Sequence, residues 1–165
     1  MIAASPGLRI ATELRVRLGD LYSAYDEALN EGRYEDWPEF FTDACAYRIT
    51  ARENYDAGLP VALIYAESRA MLTDRVAAIR KTMLYAPRVV RNLTTGIVVR
   101  AVEADGMRLS ASFAVFQTML NEPSQVFLCG RYYDRVVEKD GELRFAERAC
   151  VTDATLVPTS LIFPL

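Results

Sequence analysis

Near the start of the chain, apolar side chains recur at the spacing that places them on one face of a helix. Leucines and tyrosines recur there every three or four positions, which is the repeat of an amphipathic helix. The residues of this stripe are Leu14, Leu18, Leu21, Tyr22, Tyr25 and Leu29. The sequence NEGR interrupts the pattern, so we predict a helix over about residues 8–30 with one buried face.

The next segment, YEDWPEFFTDACAY, predicts a short helix. Asp36 is placed to cap it, and Pro38 lies in the first turn, where a missing backbone N–H matters least. We expect Trp37, Phe40 and Phe41 to face the core. The residues that follow predict a strand (ACAYRIT), a polar loop that contains a glycine, and a second strand (VALIYAE).

A second substantial helix is predicted over the sequence RAMLTDRVAAIRK. Ser68 directly precedes it and is a preferred capping residue. Met71, Leu72, Val76 and Ile79 have the spacing of one helix face, and we expect them to be buried.

Beyond Pro87 the pattern changes to long runs of alternating apolar and polar residues, which are typical of strands. Turn signals separate the runs at Asp105-Gly106, Glu122-Pro123-Ser124 and Asp140-Gly141. Strands of about 15 residues would extend about 50 Å, too far for a flat sheet in a small domain. We therefore predict an α+β fold with a strongly curved antiparallel sheet and helices packed on its concave face.

Length and charge limit the classes of partner. With 165 residues the chain has the length of one domain, over residues 1–165. Nineteen basic against 22 acidic residues give a net charge of −3, which leaves no basic excess for binding nucleic acid or an anionic membrane. The sequence has neither an apolar run long enough for a membrane span nor the pattern of a secretory signal, so we expect a cytoplasmic protein.

The chain contains no histidine, and its three cysteines lie far apart in the sequence. Without imidazole it cannot supply a Ser-His-Asp or Cys-His arrangement, a histidine-containing zinc site, or two-histidine ligation of iron. Cys45, Cys129 and Cys150 each lie in an apolar run, which favours buried free thiols over disulfides or metal ligands. Any chemistry of this chain alone must use carboxylates, tyrosines, lysines or thiols.

Charged residues lie within the last two predicted strands, in the sequence CGRYYDRV and in LRFAERACVTD. If Tyr132 and Asp134 share one face of their strand, Asp134 can pair with Arg148 of the neighbouring strand. A buried pair of this kind is costly to break and is often structural. We therefore expect Arg131, Asp134 and Arg148 to have structural or interface roles and no catalytic residue among them.

The tyrosines leave an alternative open. A carboxylate beside tyrosine hydroxyls in a cone-shaped sheet can abstract a carbon-bound proton while the hydroxyls stabilise the oxyanion, and this chemistry needs no histidine. The chain could thus be a stand-alone isomerase or dehydratase, or a small-ligand binder. Tyr22 and Tyr25, however, fall on the helix stripe, where packing in the core is the better explanation.

The sequence LVPTSLIFPL forms an apolar tail without a charged residue. Its two prolines disfavour a regular helix. Apolar residues at this density usually mark a contact surface, so we expect docking at a subunit boundary, and the alternative is that the tail closes over its own sheet. The interface candidates are Leu161, Ile162, Phe163 and Leu165.

In the order of these features the chain resembles the small (β) subunits of aromatic-ring-hydroxylating dioxygenases. The similarity runs through YDEALNEGRYEDWPEFFTDACAYRI, ESRAMLTDRVAAIR, RNL, CGRYYDRV and LRFAERACVTD. Within that family it most resembles subunits paired with oxygenases that act on aromatic carboxylates, such as salicylate 5-hydroxylase or terephthalate dioxygenase. The resemblance implies a cystatin-like or nuclear-transport-factor-like cone and a role in the hydroxylation of an aromatic carboxylate.

The resemblance also implies a partner. In the family a large (α) subunit carries a Rieske 2Fe-2S cluster and a mononuclear iron, and the small subunit holds no cofactor and no catalytic residue. We accordingly expect a non-catalytic structural subunit that assembles with the large subunit, three of each, and with other copies of itself. The absence of histidine agrees with this expectation, because both metal centres require histidine ligands.

Overall fold

The computed structural model describes residues 10–156 and 161–165. These residues form three α-helices: α1 (Thr12–Asn30), α2 (Arg52–Asp56) and α3 (Arg69–Lys81). A 3₁₀-helix, Trp37–Phe40, follows α1. The six strands are β1 (Phe41–Ala51), β2 (Ile64–Ala66), β3 (Arg88–Glu103), β4 (Gly106–Met119), β5 (Gln125–Lys139) and β6 (Glu142–Thr152).

All six strands belong to one sheet in the order β2-β1-β6-β5-β4-β3. Strands β3 to β6 pair antiparallel with their sequence neighbours, which confirms the predicted meander. The prediction of a wholly antiparallel sheet was wrong in one place: β1 lies parallel to β6, which makes the sheet mixed. The two strands are far apart in sequence, so no turn signal marks their pairing.

The sheet is strongly curved, as predicted, and α1 and α3 lie on its concave face, whereas α2 contacts the outer face through Tyr55. The register shifts at several points along the ladders, including β3 between Thr95 and Val98, where Gly96 adopts a φ of 63°. Bulges of this kind bend a strand and increase its twist. Helix α1 packs on β3 and β6, and α3 packs on β1, so the core fills the space between helices and sheet.

The two long predicted helices are confirmed. Helix α1 ends at Asn30 as predicted, and its described part begins at Thr12, whereas residues 8 and 9 lie outside the described residues. Helix α3 begins directly after Ser68, whose Oγ accepts a hydrogen bond from the backbone N–H of Met71. The prediction that Met71 is buried was wrong: it is 42% exposed, because its thioether lies over the N-terminal end of α3 and accepts a hydrogen bond from the Glu67 N–H at 3.4 Å.

The segment between α1 and α3 differs from its prediction in detail. The short helix is a single 3₁₀ turn, and Asp36 does not cap it with its side chain, since its carboxylate binds Arg33 instead. Trp37 and Phe41 are buried as predicted, whereas Phe40 is only partly buried. Part of the predicted loop forms the short helix α2, and the predicted second strand is reduced to the three residues of β2.

No helix among the described residues combines the length and the apolar character that crossing a membrane requires.

Candidate functional site

An ion pair between adjacent strands occupies the middle of the concave face. Asp134 of β5 and Arg148 of β6 are directly opposite in the ladder, and both side chains point into the core. Arg148 donates from Nε to Oδ1 of Asp134 at 3.1 Å and from Nη2 to Oδ2 at 2.9 Å. The predicted pair is therefore confirmed as a two-bond contact, and neither side chain has any exposed surface.

Strands β5 and β6 approach each other closely four residues before Asp134, at Gly130. A Cβ atom at Gly130 would clash with the backbone oxygen of Val151 in β6. Only glycine fits there, so Gly130 permits the close pairing of the two strands at this point.

Helix α1 adds a third polar group. The Tyr22 hydroxyl donates to Oδ2 of Asp134 at 2.5 Å, so both carboxylate oxygens have donors. Burial raises the pKa of this hydroxyl well above its ordinary value, and the Asp134 charge raises it further. Tyr22 therefore stays protonated and keeps donating.

Aromatic rings enclose the guanidinium group. The Arg148 carbon Cζ lies 3.8 Å from the ring centroid of Phe145 and 4.2 Å from those of Tyr25 and Tyr132. Burial by itself lowers the pKa of Arg148, but the charge and hydrogen bonds of Asp134, together with the neighbouring tyrosines, outweigh it and raise the pKa well above its ordinary value. Cation-π contacts and the ion pair thus replace the water that a charged group loses on burial.

A second group of hydroxyls lies next to the first. Trp37 donates from Nε1 to the Tyr25 hydroxyl at 2.8 Å, and Tyr25 in turn donates to the backbone oxygen of Leu165 at 2.7 Å. The Tyr47 hydroxyl and the Cys150 thiol also donate to this oxygen, at 3.3 and 3.6 Å. Burial raises the pKa of Cys150 to about 12, so the thiol is protonated at neutral pH.

Residues 161–165, which we call the closing segment, lie on the concave side of their own domain. Ile162 and Leu165 are buried in the core, and Leu161 and Phe163 pack partly buried against it. Arg75 of α3 donates from Nη2 to the backbone oxygens of Leu161 at 3.2 Å and of Ile162 at 2.9 Å. The alternative arrangement, in which the tail closes over its own sheet, is the one observed. An interface role stays a prediction for the accessible parts of Leu161 and Phe163.

The cysteines also differ in part from their prediction. All three are free thiols, and Cys45 and Cys150 are buried as expected. Cys129 is exposed, and the expectation of burial was wrong for it because its side chain points to the outer face of β5. The described residues contain no group of three or more acidic or cysteine side chains arranged to hold a metal ion.

The outer, convex face of the sheet carries a groove with a volume of about 420 Å³, lined by arginines and tyrosines. Tyr55 of α2 stacks on Tyr133 of β5 with ring centroids 4.9 Å apart, and Arg48 lies over the Tyr55 ring. Asp134 and Arg148 border this groove only through their backbone, since their side chains are fully enclosed. Arg131 is exposed on the same outer face, so the structure separates it from the pair with which the sequence analysis grouped it.

The polar contacts of the tyrosines and of Arg75 were not predicted from the sequence. Tyr22 and Tyr25 lie in the core as predicted, but their hydroxyl partners had not been assigned. A tyrosine instead of a phenylalanine on a buried stripe is a signal for such a partner, because a buried hydroxyl needs a hydrogen bond.

Comparison with known proteins gives consistent matches. Residues 26–159 match the family model described as ring hydroxylating beta subunit. The anthranilate 1,2-dioxygenase small subunit of Burkholderia cepacia is 34% identical over 145 residues, which cover 88% of this chain and 90% of that protein. Subunit beta 2 of the terminal oxygenase component of a Comamonas sp. terephthalate 1,2-dioxygenase is 32% identical, with coverage of 91% and 97%.

A solved structure agrees with these matches. It comes from Novosphingobium aromaticivorans and is described as the beta subunit of an aromatic-ring-hydroxylating dioxygenase. It superposes with a TM-score of 0.86 at 36% identity and covers 95% of this chain and all of its own length. Sequence and fold similarity therefore extend over nearly the whole chain.

Proposed function

This chain belongs to the ring hydroxylating beta subunit family, and on that premise we propose that it is a non-catalytic structural subunit of a multicomponent oxygenase. It would assemble with a catalytic large subunit, three of each in a ring.

The observation that carries the proposal is the enclosure of Asp134, the carboxylate that contacts Tyr22 and Arg148 inside the cone. Proton abstraction from a substrate requires a carboxylate oxygen that the substrate can reach. Both oxygens of Asp134 accept hydrogen bonds from Arg148 and Tyr22, and the side chain has no exposed surface. This arrangement supports a structural role for Asp134 and Arg148 and does not favour the stand-alone enzyme.

The metal centres belong, on this proposal, to the large subunit. A Rieske cluster takes two histidines with two cysteines, and the mononuclear iron site takes two histidines and a carboxylate. This chain has no histidine and cannot complete either set. Its contribution is to hold large subunits in the arrangement in which electrons pass between neighbours.

The substrate class follows from the names of the relatives. Anthranilate and terephthalate are both aromatic carboxylates, and the named small subunits are 34% and 32% identical to this chain. We assign the complete oxygenase to the same class, an aromatic ring that carries a carboxylate.

The outer face of the sheet offers the contact surface that such a subunit needs. Arginine and tyrosine are enriched at protein interfaces, where they combine apolar contact area with polar contacts. Arg48, Tyr55 and Tyr133 line the outer groove, and Arg131 is exposed nearby without an ion pair among the described residues. We assign this face to the contact with the large subunit.

The direct test is co-expression with the large subunit that accompanies this chain in its host. We expect both chains to co-purify with the native mass of three small and three large subunits. After the chains are separated, the small subunit should carry neither iron nor Rieske absorbance. Turnover of an aromatic carboxylate by the complex should persist in the Asp134→Asn variant, provided that the complex assembles. An assembled variant without turnover, or iron that stays with the isolated small subunit, would refute the proposal.

A further inference from the structure

The concave side of the cone directs several hydrogen-bond donors at one backbone group. Tyr25, Tyr47 and Cys150 all donate to the oxygen of Leu165, at 2.7, 3.3 and 3.6 Å. The Leu165 N–H donates back to the Tyr47 hydroxyl at 3.0 Å. A single leucine residue thus satisfies the polar groups of three separate elements.

Contacts that do not involve Leu165 hold two of these donors in place. Trp37 occupies the acceptor side of the Tyr25 hydroxyl at 2.8 Å, which leaves the hydroxyl hydrogen free for Leu165. The rings of Trp37 and Tyr47 pack edge to face with centroids 5.2 Å apart. Burial raises the pKa of both tyrosines, so both stay protonated over the physiological range. Preorganised buried donors are a general feature of ligand sites.

The closing segment fills this site as a ligand would. It belongs to no helix or strand and reaches the concave face as an irregular chain, which Arg75 holds through two backbone oxygens. Its residues pack against Val90, Val115 and Phe127 of the sheet and leave a cavity of only about 10 Å³. That volume is at most enough for one water molecule.

Two further buried polar atoms lie in the same interior. Among the described residues, the Tyr132 hydroxyl and Nη1 of Arg148 have no hydrogen-bond partner. Buried polar atoms are rarely left in this state, and each one needs an explanation. Both are available as donors to a molecule larger than a leucine.

We propose that the interior of the cone is a latent binding site for a small molecule with a carbonyl or carboxylate oxygen next to a branched apolar body, and that the closing segment occupies it as a built-in ligand. This inference does not rest on the proposed function, because it uses only the chain's own interior. The ligand class follows from the groups of Leu165 that contact the site: an acceptor oxygen, an N–H and a buried isobutyl group.

The test is to delete Pro164 and Leu165 and to add a leucine derivative to the solution of the shortened chain. N-acetyl-L-leucinamide is the neutral probe and N-acetyl-L-leucine the charged one. At a concentration tenfold above its Kd, a bound probe should raise the Tm of the shortened chain by about 4 °C. The full-length chain should not respond, since its site is filled. A preference for the charged probe would point to the free Nη1 of Arg148 as a further contact.

Matched controls separate binding at the site from general effects. The D-enantiomers should not stabilise the shortened chain. Tyr47→Phe in the shortened chain should weaken binding by roughly tenfold, whereas Tyr133→Phe on the outer face should leave it unchanged. If the shortened chain folds but neither L-probe shifts its Tm, the proposal is wrong. If it folds only weakly, the near-UV circular dichroism should recover on adding an L-probe, and a failure to recover also overturns the proposal.

Discussion

Nη2 of Arg148 lies 2.9 Å from Oδ2 of Asp134 on the adjacent strand, and neither side chain reaches the surface. Removal of one partner therefore leaves a buried charge without compensation. Breaking such a pair typically costs about 3–5 kcal/mol of unfolding free energy.

We expect Asp134→Ala to lower the Tm by roughly 10 °C, since about 3 kcal/mol corresponds to that shift in a chain of this size. Thermal unfolding followed by circular dichroism measures the effect. Asp74→Ala on the exposed side of α3 is the control and should change the Tm by less than about 2 °C. Equal Tm values for the two variants would show that Asp134 contributes no stability.

Replacing all three polar residues of the ion-pair cluster by apolar ones should lower the Tm much less than Asp134→Ala does. The combined variant Tyr22→Phe, Asp134→Leu and Arg148→Met removes both charges together with the hydroxyl that pairs with Asp134, and such replacements are often neutral or stabilising. We expect the combined variant to recover most of the Tm that Asp134→Ala loses. A Tm below that of the single variant would show that packing, and not charge compensation, dominates at this position.

The closing segment should contribute to the unfolding free energy of the isolated chain. Ile162→Ala removes buried apolar contacts and should cost about 2–4 kcal/mol of unfolding free energy. Leu156→Ala is the matched control, because Leu156 is 82% exposed. Urea denaturation distinguishes the two, and an unchanged midpoint for Ile162→Ala would mean that the segment is not packed in solution.

The three thiols should react at different rates. Cys129 is exposed, whereas Cys45 and Cys150 are buried, and burial raises the pKa of both buried thiols, that of Cys150 to about 12. Because the thiolate is the reactive form, one thiol per chain should react with Ellman's reagent at pH 8 in the native state and three after unfolding. Fast reaction of a second thiol in the native chain would contradict the enclosure of the interior.

The outer face should govern assembly without affecting the fold. Arg131→Glu and Tyr133→Ala should weaken co-purification with the large subunit by at least about tenfold while the Tm changes little, since rim and groove side chains contribute to contacts between chains. Arg15→Glu on the exposed side of α1 is the control. Normal assembly of both outer-face variants would remove this face from the interface.

The parts of the fold that sequence predicted are those with strong local signals. Ser68 before a periodic stretch located α3 to the residue, and the turn at Asp140-Gly141 located the last hairpin, where both residues adopt positive φ. The pairing of Asp134 with Arg148 followed from strand alternation and register. The role of Arg75 and the hydrogen bonds from Tyr25 and Tyr47 to Leu165 could not be predicted, because they join segments more than 80 residues apart.

The parallel pairing of β1 with β6 constrains how the chain can fold. Residues Phe41–Ala51 are hydrogen-bonded in register to residues up to Thr152, so β1 cannot gain this partner until nearly all of the chain has left the ribosome. Strands β3 to β5 can pair earlier, because each of them follows its neighbour directly in sequence and all three precede β6. The β6-facing edge of β1 therefore stays unpaired until β6 is synthesised, and exposed strand edges of this kind favour aggregation.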